Sequence, residues 1–261
     1  MDLGLNGKRA LVLGSSQGIG AEIARVLARE GCNVYVGARR LDHIQSLADE
    51  LSEEFNVDAK AYSIDLSDGI SVEKLCEMIT HEWKIDILLN NAGGPPPSSS
   101  TGVSDEIWES SLQSLLMSTI RLSEAAVKGM RERGWGRILT VASSGVIQPI
   151  PNLAVSNTVR SAVVGFTKTL SNEVAKDGIT VNMVLPGRID TERLASIHEA
   201  AANKQGMTYE EYRDNSRSSI PARRFGTAKE FAEVAVFLMS VCASYITGSV
   251  IRVDGGVIQS V

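Results

Sequence analysis

The chain has 261 residues, 43% hydrophobic and 22% charged, with a formal net charge of -5; this is a globular composition long enough for a substantial core and, by size, one α/β domain. The charge is dispersed and no basic cluster occurs, which excludes nucleic acid and anionic membrane as partners. Cys32, Cys76 and Cys242 are odd in number, widely spaced and without a C-x-x-C pair, which argues against a disulfide framework or zinc site and suits a reducing compartment.

In chain order, the opening M-D-L-G-L-N-G-K-R begins with an acid, and the first apolar run starts only at Ala10. No signal peptide is read there, and no apolar run approaches the roughly 18 residues of a membrane span. A soluble, cytoplasmic protein is expected. Short β-rich runs follow at residues 10–13, 33–38, 59–64, 85–89, 137–141, 180–185 and 249–253, separated by helical patterns. That alternation predicts right-handed βαβ units and a seven-stranded parallel sheet covered on both faces. The first helix places Ile23, Val26 and Leu27 on one face and stops near Gly31. Long helical stretches are predicted over about 105–133 and 152–177. Residues 93–100, G-G-P-P-P-S-S-S, can be neither helix nor central strand and suit a rim loop above the sheet.

Between the first strand and helix stands Leu13-Gly14-Ser15-Ser16-Gln17-Gly18-Ile19-Gly20. Gly14 suits a tight turn, Gly18 a close approach to a diphosphate, and Gly20 close helix–strand packing, with anionic oxygens at the helix N-terminus. A glycine-rich turn that binds nothing is the bland alternative; the strand-to-helix context weighs against it.

Further motifs recur in order: Asp65 after the third strand, Asn90-Asn91-Ala92-Gly93 after the fourth, Pro186-Gly187 after the sixth, then Thr191, Ile246-Thr247-Gly248 and Asp254-Gly255-Gly256. With the G-x-x-x-G-x-G spacing, they make almost the whole chain resemble the short-chain dehydrogenase/reductase family, closest in general look to its 3-oxoacyl-(acyl-carrier-protein) reductases. The resemblance implies a single-domain Rossmann-type three-layer sandwich over residues 1–261, with residues 190–224 as a substrate lid. It implies that Gly14, Ser15, Ser16, Gly18, Ile19 and Gly20 wrap the cofactor diphosphate and that Asp65 and Leu66 flank the adenine. Asn91, Ala92 and Gly93 would then line the ribose side, and Pro186, Gly187, Ile189 and Thr191 would hold the nicotinamide carboxamide. It also implies a homotetramer, or next a dimer. One departure is Leu13, where the family has a threonine; losing that hydroxyl is expected to loosen the loop.

The second strand ends Val36-Gly37-Ala38-Arg39-Arg40. An acid, which would accept from a ribose 2′-hydroxyl, is absent, and Arg39 and Arg40 offer forked cations to a 2′-phosphate, so NADP is preferred over NAD. Two solvated surface arginines are the alternative. Gln17, where a cation would strengthen the case, gives no help.

By the same resemblance, carbonyl reduction uses a serine, a tyrosine, a lysine and an asparagine, which fall here at Ser143, Ser156, Arg160 and Leu115. Ser156 is too weak an acid to replace tyrosine, and a guanidinium neither gives nor takes protons readily. Ser143, Ser156 and Arg160 therefore form the candidate catalytic set with no metal, Arg160 either gripping a ribose or an anionic group or capping buried polar groups. No histidine is near enough in sequence to make Ser156 a nucleophile, since His43, His81 and His198 fall on predicted helices. Tyr209 and Tyr212 in the lid are read as packing residues rather than replacement acids. The expected function is an NADP-dependent oxidoreductase acting on a small carbonyl or alcohol substrate, acyl compounds included, through a non-standard centre. The alternatives are an NADP-holding protein with a regulatory role and a different reaction on the same fold.

Overall fold

Seven apolar runs pair into one parallel sheet in the computed structural model, which describes residues 1–260. The chain runs β1 (Arg9–Leu13), α1 (Gly18–Arg29), β2 (Asn33–Ala38), α2 (Leu41–Phe55), β3 (Ala59–Ser63), α3 (Gly69–His81), β4 (Ile87–Asn90), α4 (Asp105–Ser111) and α5 (Ser118–Arg133). It continues through β5 (Gly136–Val141), α6 (Ala154–Val174), β6 (Ile179–Pro186), β7 (Ile189–Asp190), α7 (Glu192–Gln205), α8 (Tyr209–Ser218), β8 (Gly226–Thr227), α9 (Ala228–Leu238) and β9 (Val250–Val253).

The sheet order is β3-β2-β1-β4-β5-β6-β9, all parallel, so the direction of winding reverses between β1 and β4. This is the doubly wound α/β fold, whose ligand crevice lies at the carboxyl ends of the strands beside that reversal. Successive β1 side chains serve opposite cores. Val12 packs with Ile23, Leu27 and Phe231 on one face, while Leu11 and Leu13 pack with Leu122 and Met130 on the other. Each such fully buried Leu or Phe contributes about 1.5–3 kcal/mol. Gly31 follows α1 at φ +82°, as the helix-stopping pattern requires.

Two features differ from the sequence expectation. The stretch 105–133 is not one regular helix, because residues Leu112–Met117 form a wide π-helical turn between α4 and α5. Three hydroxyls around it bond back four residues: Ser111 Oγ donates to the Ile107 carbonyl at 2.6 Å, Ser118 Oγ to that of Ser114 at 2.6 Å, and Thr119 Oγ1 to that of Leu115 at 2.8 Å. These bonds compete with the regular ladder. Residues 190–224 carry α7 and α8, with His198 on a helix as expected, and a small β7–β8 pairing of 189–190 with 226–227, which local patterning did not reveal, brackets them. The proline-rich rim loop is tied to the start of α6, since Ser98 N donates to the Asn152 carbonyl at 2.8 Å and Ala154 N to that of Ser98 at 3.2 Å. No helix among the described residues is long and apolar enough to cross a membrane.

Candidate active site

The cleft opens at the carboxyl ends of β1 and β4, where the winding reverses. The turn after β1 reverses the chain with Gly14 at φ +62° and Gly18 at φ +61°, both left-handed values that glycine adopts without strain. Gly20 is required by proximity, because a β-carbon there would lie 2.2 Å from the Gly14 carbonyl oxygen. Gln17, the residue before α1, caps it with no side-chain bond, which leaves the first helical N–H groups open to anionic oxygens. Gly93 faces open space. A dinucleotide diphosphate fits this cradle.

Fourteen expected cofactor contacts, Gly14, Ser16, Gly18, Ile19, Gly20, Arg39, Arg40, Asp65, Leu66, Asn91, Ala92, Gly93, Pro186 and Thr191, line the cleft together with Arg160. Ser15, Gly187 and Ile189 are placed otherwise. Ser15 is fully buried and its hydroxyl donates to the Gly37 carbonyl at 3.3 Å, so its side chain secures the turn instead of facing the cleft. Gly187 lies where a β-carbon would meet Asp254 Cα at 2.4 Å, and Ile189 is buried in the core.

The loop that Leu13 was expected to loosen is held from another direction. Asn91 Nδ2 donates to the carbonyls of Leu13 at 3.2 Å and Gly14 at 3.3 Å, fastening the turn to the end of β4. Asn91→Ala is expected to strand both carbonyls, costing about 1–3 kcal/mol of stability. Chemical denaturation with and without dinucleotide checks it, and an unchanged midpoint together with unchanged affinity would remove Asn91 from this role. Gln17 also does more than its lack of charge suggested: its amide oxygen accepts from Arg40, which fixes that guanidinium at the cleft wall. Asp65 accepts from Ser67 N at 2.9 Å and from Ser67 Oγ at 2.7 Å. The Ser67 hydroxyl bond holds its carboxyl below the ordinary range, with a smaller push from Arg39.

Ser143 and Ser156 are not among the cleft-lining residues, although Ala142 and Arg160 beside them are. Ser143 Oγ accepts from Gly145 N at 3.1 Å, leaving its hydroxyl proton free to donate. Ser156 is buried, and its Oγ accepts from Arg160 Nη1 one helical turn away. Burial, and next the charge of Arg193, push the Arg160 guanidinium down to about 10. It remains a cation at neutral pH. Leu115 is buried in an apolar cluster with Val155 and Val159, one residue before and three after Ser156 on α6, and the wide turn presents Ser114 to the cleft.

Sequence reasoning missed Ser67, Gly94, Ser114 and Arg193 as lining residues. Ser67 carried a local signal, being two residues past an aspartate, the spacing of an Asx turn. Gly94 directly follows the predicted Asn91-to-Gly93 run, whereas Ser114 and Arg193 carried no signal, because their positions depend on the wide turn and on how α7 leaves β7.

Tyr209 and Tyr212 pack as expected: Tyr212 meets His198 edge-on with ring centres 5.3 Å apart, and Tyr209 accepts from Arg213 Nη1 at 3.2 Å.

Comparison with known proteins agrees with this geometry. A family profile described as enoyl-(acyl carrier protein) reductase matches residues 14–258. The 3-oxoacyl-(acyl-carrier-protein) reductase of Escherichia coli is 34% identical over 257 residues, 97% of this chain and 98% of its own. The crystal structure of L-sorbose reductase from Gluconobacter frateurii complexed with NADPH and L-sorbose superposes with a TM-score of 0.94 at 34% identity, covering 100% of both chains. That of an actinorhodin polyketide ketoreductase variant with NADPH reaches 0.90 at 33% identity, covering 97% of this chain and 98% of that one. With the glycine turn, the sheet order and a full-length match all in agreement, the chain belongs to the short-chain dehydrogenase/reductase family.

Proposed function

We propose that this protein is an NADPH-dependent reductase of a small carbonyl compound whose proton delivery departs from the family pattern, with Ser156 and Arg160 in place of its tyrosine and lysine. The observation that carries the reading is the single cleft joining the open N-terminus of α1 and the Arg39–Arg40 pair at one end to Arg160 at the other. Arg39 and Arg40 suit a 2′-phosphate, and no carboxylate stands at Ala38 to select a bare ribose. Relatives with NADPH bound point the same way.

NADPH supplies the hydride when bound. The chain's own groups handle the developing charge on the carbonyl oxygen. Ser143 has a free hydroxyl proton to donate, and Arg160 remains a fixed cation. Such pre-set donors stabilise an oxyanion without themselves losing a proton. The alkoxide then takes its proton from solvent water rather than from Arg160. Loss of a general acid costs typically about 10²–10⁴ in rate, so slow turnover is the expected signature.

The test is NADPH oxidation across a panel of aldehydes, ketones and 3-oxoacyl thioesters. Turnover above solvent background with NADPH preferred over NADH supports the reading. Tight NADPH binding with no turnover overturns it in favour of an NADP-holding protein.

Residues 190–224 are proposed as the lid, anchored by Arg188 to the Ser216 carbonyl at 2.6 Å and by Arg213 to Asp190 at 2.8 Å. His198, buried beneath them, bonds Ser216 Oγ at 3.1 Å, and burial, then Arg188 and Arg213, hold it below the ordinary histidine range, opposed only by Asp190. Because its folded value is depressed, an opened lid binds more protons, and closed-lid stability is present above about pH 6.5 and declines as pH falls below it. Hydrogen-exchange protection over 190–224, taken relative to the intrinsic rate at each pH, is expected to fall between pH 7.5 and 5.5, and less so in His198→Phe. Identical pH responses would end the assignment.

A homotetramer or dimer is also proposed. Its support is the apolar surface beside the last strand, where Tyr245 is fully exposed and Val241 and Val250 are more than a third exposed. Light scattering on the purified protein decides the number.

A further inference from the structure

We propose that Arg160 and Arg193 form a two-pronged seat for an anionic group of the substrate, so that the carbonyl compound handled by this cleft carries a carboxylate. The inference rests on the reductase reading of the same site. A β-carbon built on Gly94 would lie 2.7 Å from Arg193 Nη2 and 3.4 and 3.5 Å from the two Arg160 terminal nitrogens, so both guanidinium groups reach one backbone point. They come from different elements: Arg160 from α6 against the sheet, Arg193 from the first turn of α7 in the lid segment.

Among the described residues neither has an acidic partner. Arg25, Arg29, Arg131, Arg133, Arg213, Arg217 and Arg224 each have a carboxylate within 4.0 Å among the described residues, whereas Arg160 has only the Ser156 hydroxyl. In a chain of net charge -5, the cleft is lined by four arginines and a single acid, Asp65, which already accepts from Ser67. Arg160 is half-buried and Arg193 is exposed, and two like charges this close repel until an anion arrives. A carboxylate presents two coplanar oxygens to two planar forks, the geometry that guanidinium groups recognise best. A bound carboxylate would also tie lid to sheet, so the lid would close on anionic substrates in preference to neutral ones.

The competing source of the anion is the cofactor diphosphate, since Gly18 lies 3.6 Å in built β-carbon distance from Thr191, two residues before Arg193. The test must separate the two. NADPH-loaded protein is titrated calorimetrically with acetoacetate and with methyl acetoacetate, and both are also offered as substrates. Acetoacetate is expected to bind and react at least tenfold better than its ester. Arg193→Gln should reduce that acid-to-ester ratio about tenfold to hundredfold while the NADPH dissociation constant moves less than threefold. Arg193→Lys, keeping charge but losing the fork, should recover part of the ratio. Equal treatment of acid and ester by the unaltered protein overturns the proposal. So does a tenfold loss of NADPH affinity in Arg193→Gln with the ratio intact, which would assign this arginine to the cofactor diphosphate. If neither compound is reduced but the binding ratio behaves as stated, the reductase reading fails and the anion seat stands.

Discussion

Gly20→Ala is expected to weaken NADPH binding at least about 100-fold in a protein that still folds. The added carbon would sit 2.2 Å from the Gly14 carbonyl oxygen, 2.8 Å from its carbon and 2.9 Å from Asn91 Nδ2. Two of these three atoms are backbone and cannot rotate away, so the turn must open or α1 must withdraw. Either movement takes the helix N-terminus away from the diphosphate. Loss of two charge-assisted bonds, each about 1.5–3 kcal/mol, gives the stated factor or more. The crowding itself costs about 1–3 kcal/mol of stability, a loss the large core on both sheet faces tolerates. Fluorescence titration with NADPH, alongside a thermal melt confirming the fold, is the measurement. An affinity within threefold of the unaltered protein would mean that the turn does not carry the diphosphate.

The second large effect concerns the proposed proton delivery. On that reading, Leu115→Asn, Ser156→Tyr and Arg160→Lys made together are expected to raise NADPH-dependent turnover by about 10²–10⁴. Each change alone should give no gain. Ser156→Tyr removes the acceptor that holds Arg160 and introduces a ring beside the Leu115, Val155 and Val159 cluster. Leu115→Asn puts an amide into that cluster, costing about 1–3 kcal/mol if it stays unpaired. Arg160→Lys keeps charge without any acid to assist. The triple variant should also acquire a falling limb at high pH as the tyrosine ionises below its ordinary value near 10, a limb the unaltered protein lacks. A triple variant that folds and binds NADPH but turns over no faster would argue against altered proton delivery and for a protein that only holds the dinucleotide.

Much of the architecture was written locally. Strand and helix alternation, the Gly14-to-Gly20 turn and the short apolar runs depend on residues within a few positions of one another, and the seven-stranded sheet appeared with boundaries shifted by two residues at most. The same holds for Arg39 and Arg40, which follow directly from where β2 ends. The wide turn at Leu112–Met117 was not legible, because one widened turn between α4 and α5 leaves no mark on the apolar period of the helices that flank it. For the same reason Leu115 could be matched to a position but not to its buried surroundings.

The sequence by itself determined the sheet, the nucleotide turn and the residue types at positions 115, 156 and 160, since each is set by local pattern or by residue identity. Only the tertiary structure decided that Asn91 secures the loop Leu13 seemed to weaken, that Gln17 fixes Arg40, that Ser15 turns inward and that Arg193 meets Arg160 above Gly94. All of these contacts join residues more than twenty positions apart, and the Ser15 and Arg193 geometries rest on how separate elements pack, which no local period records.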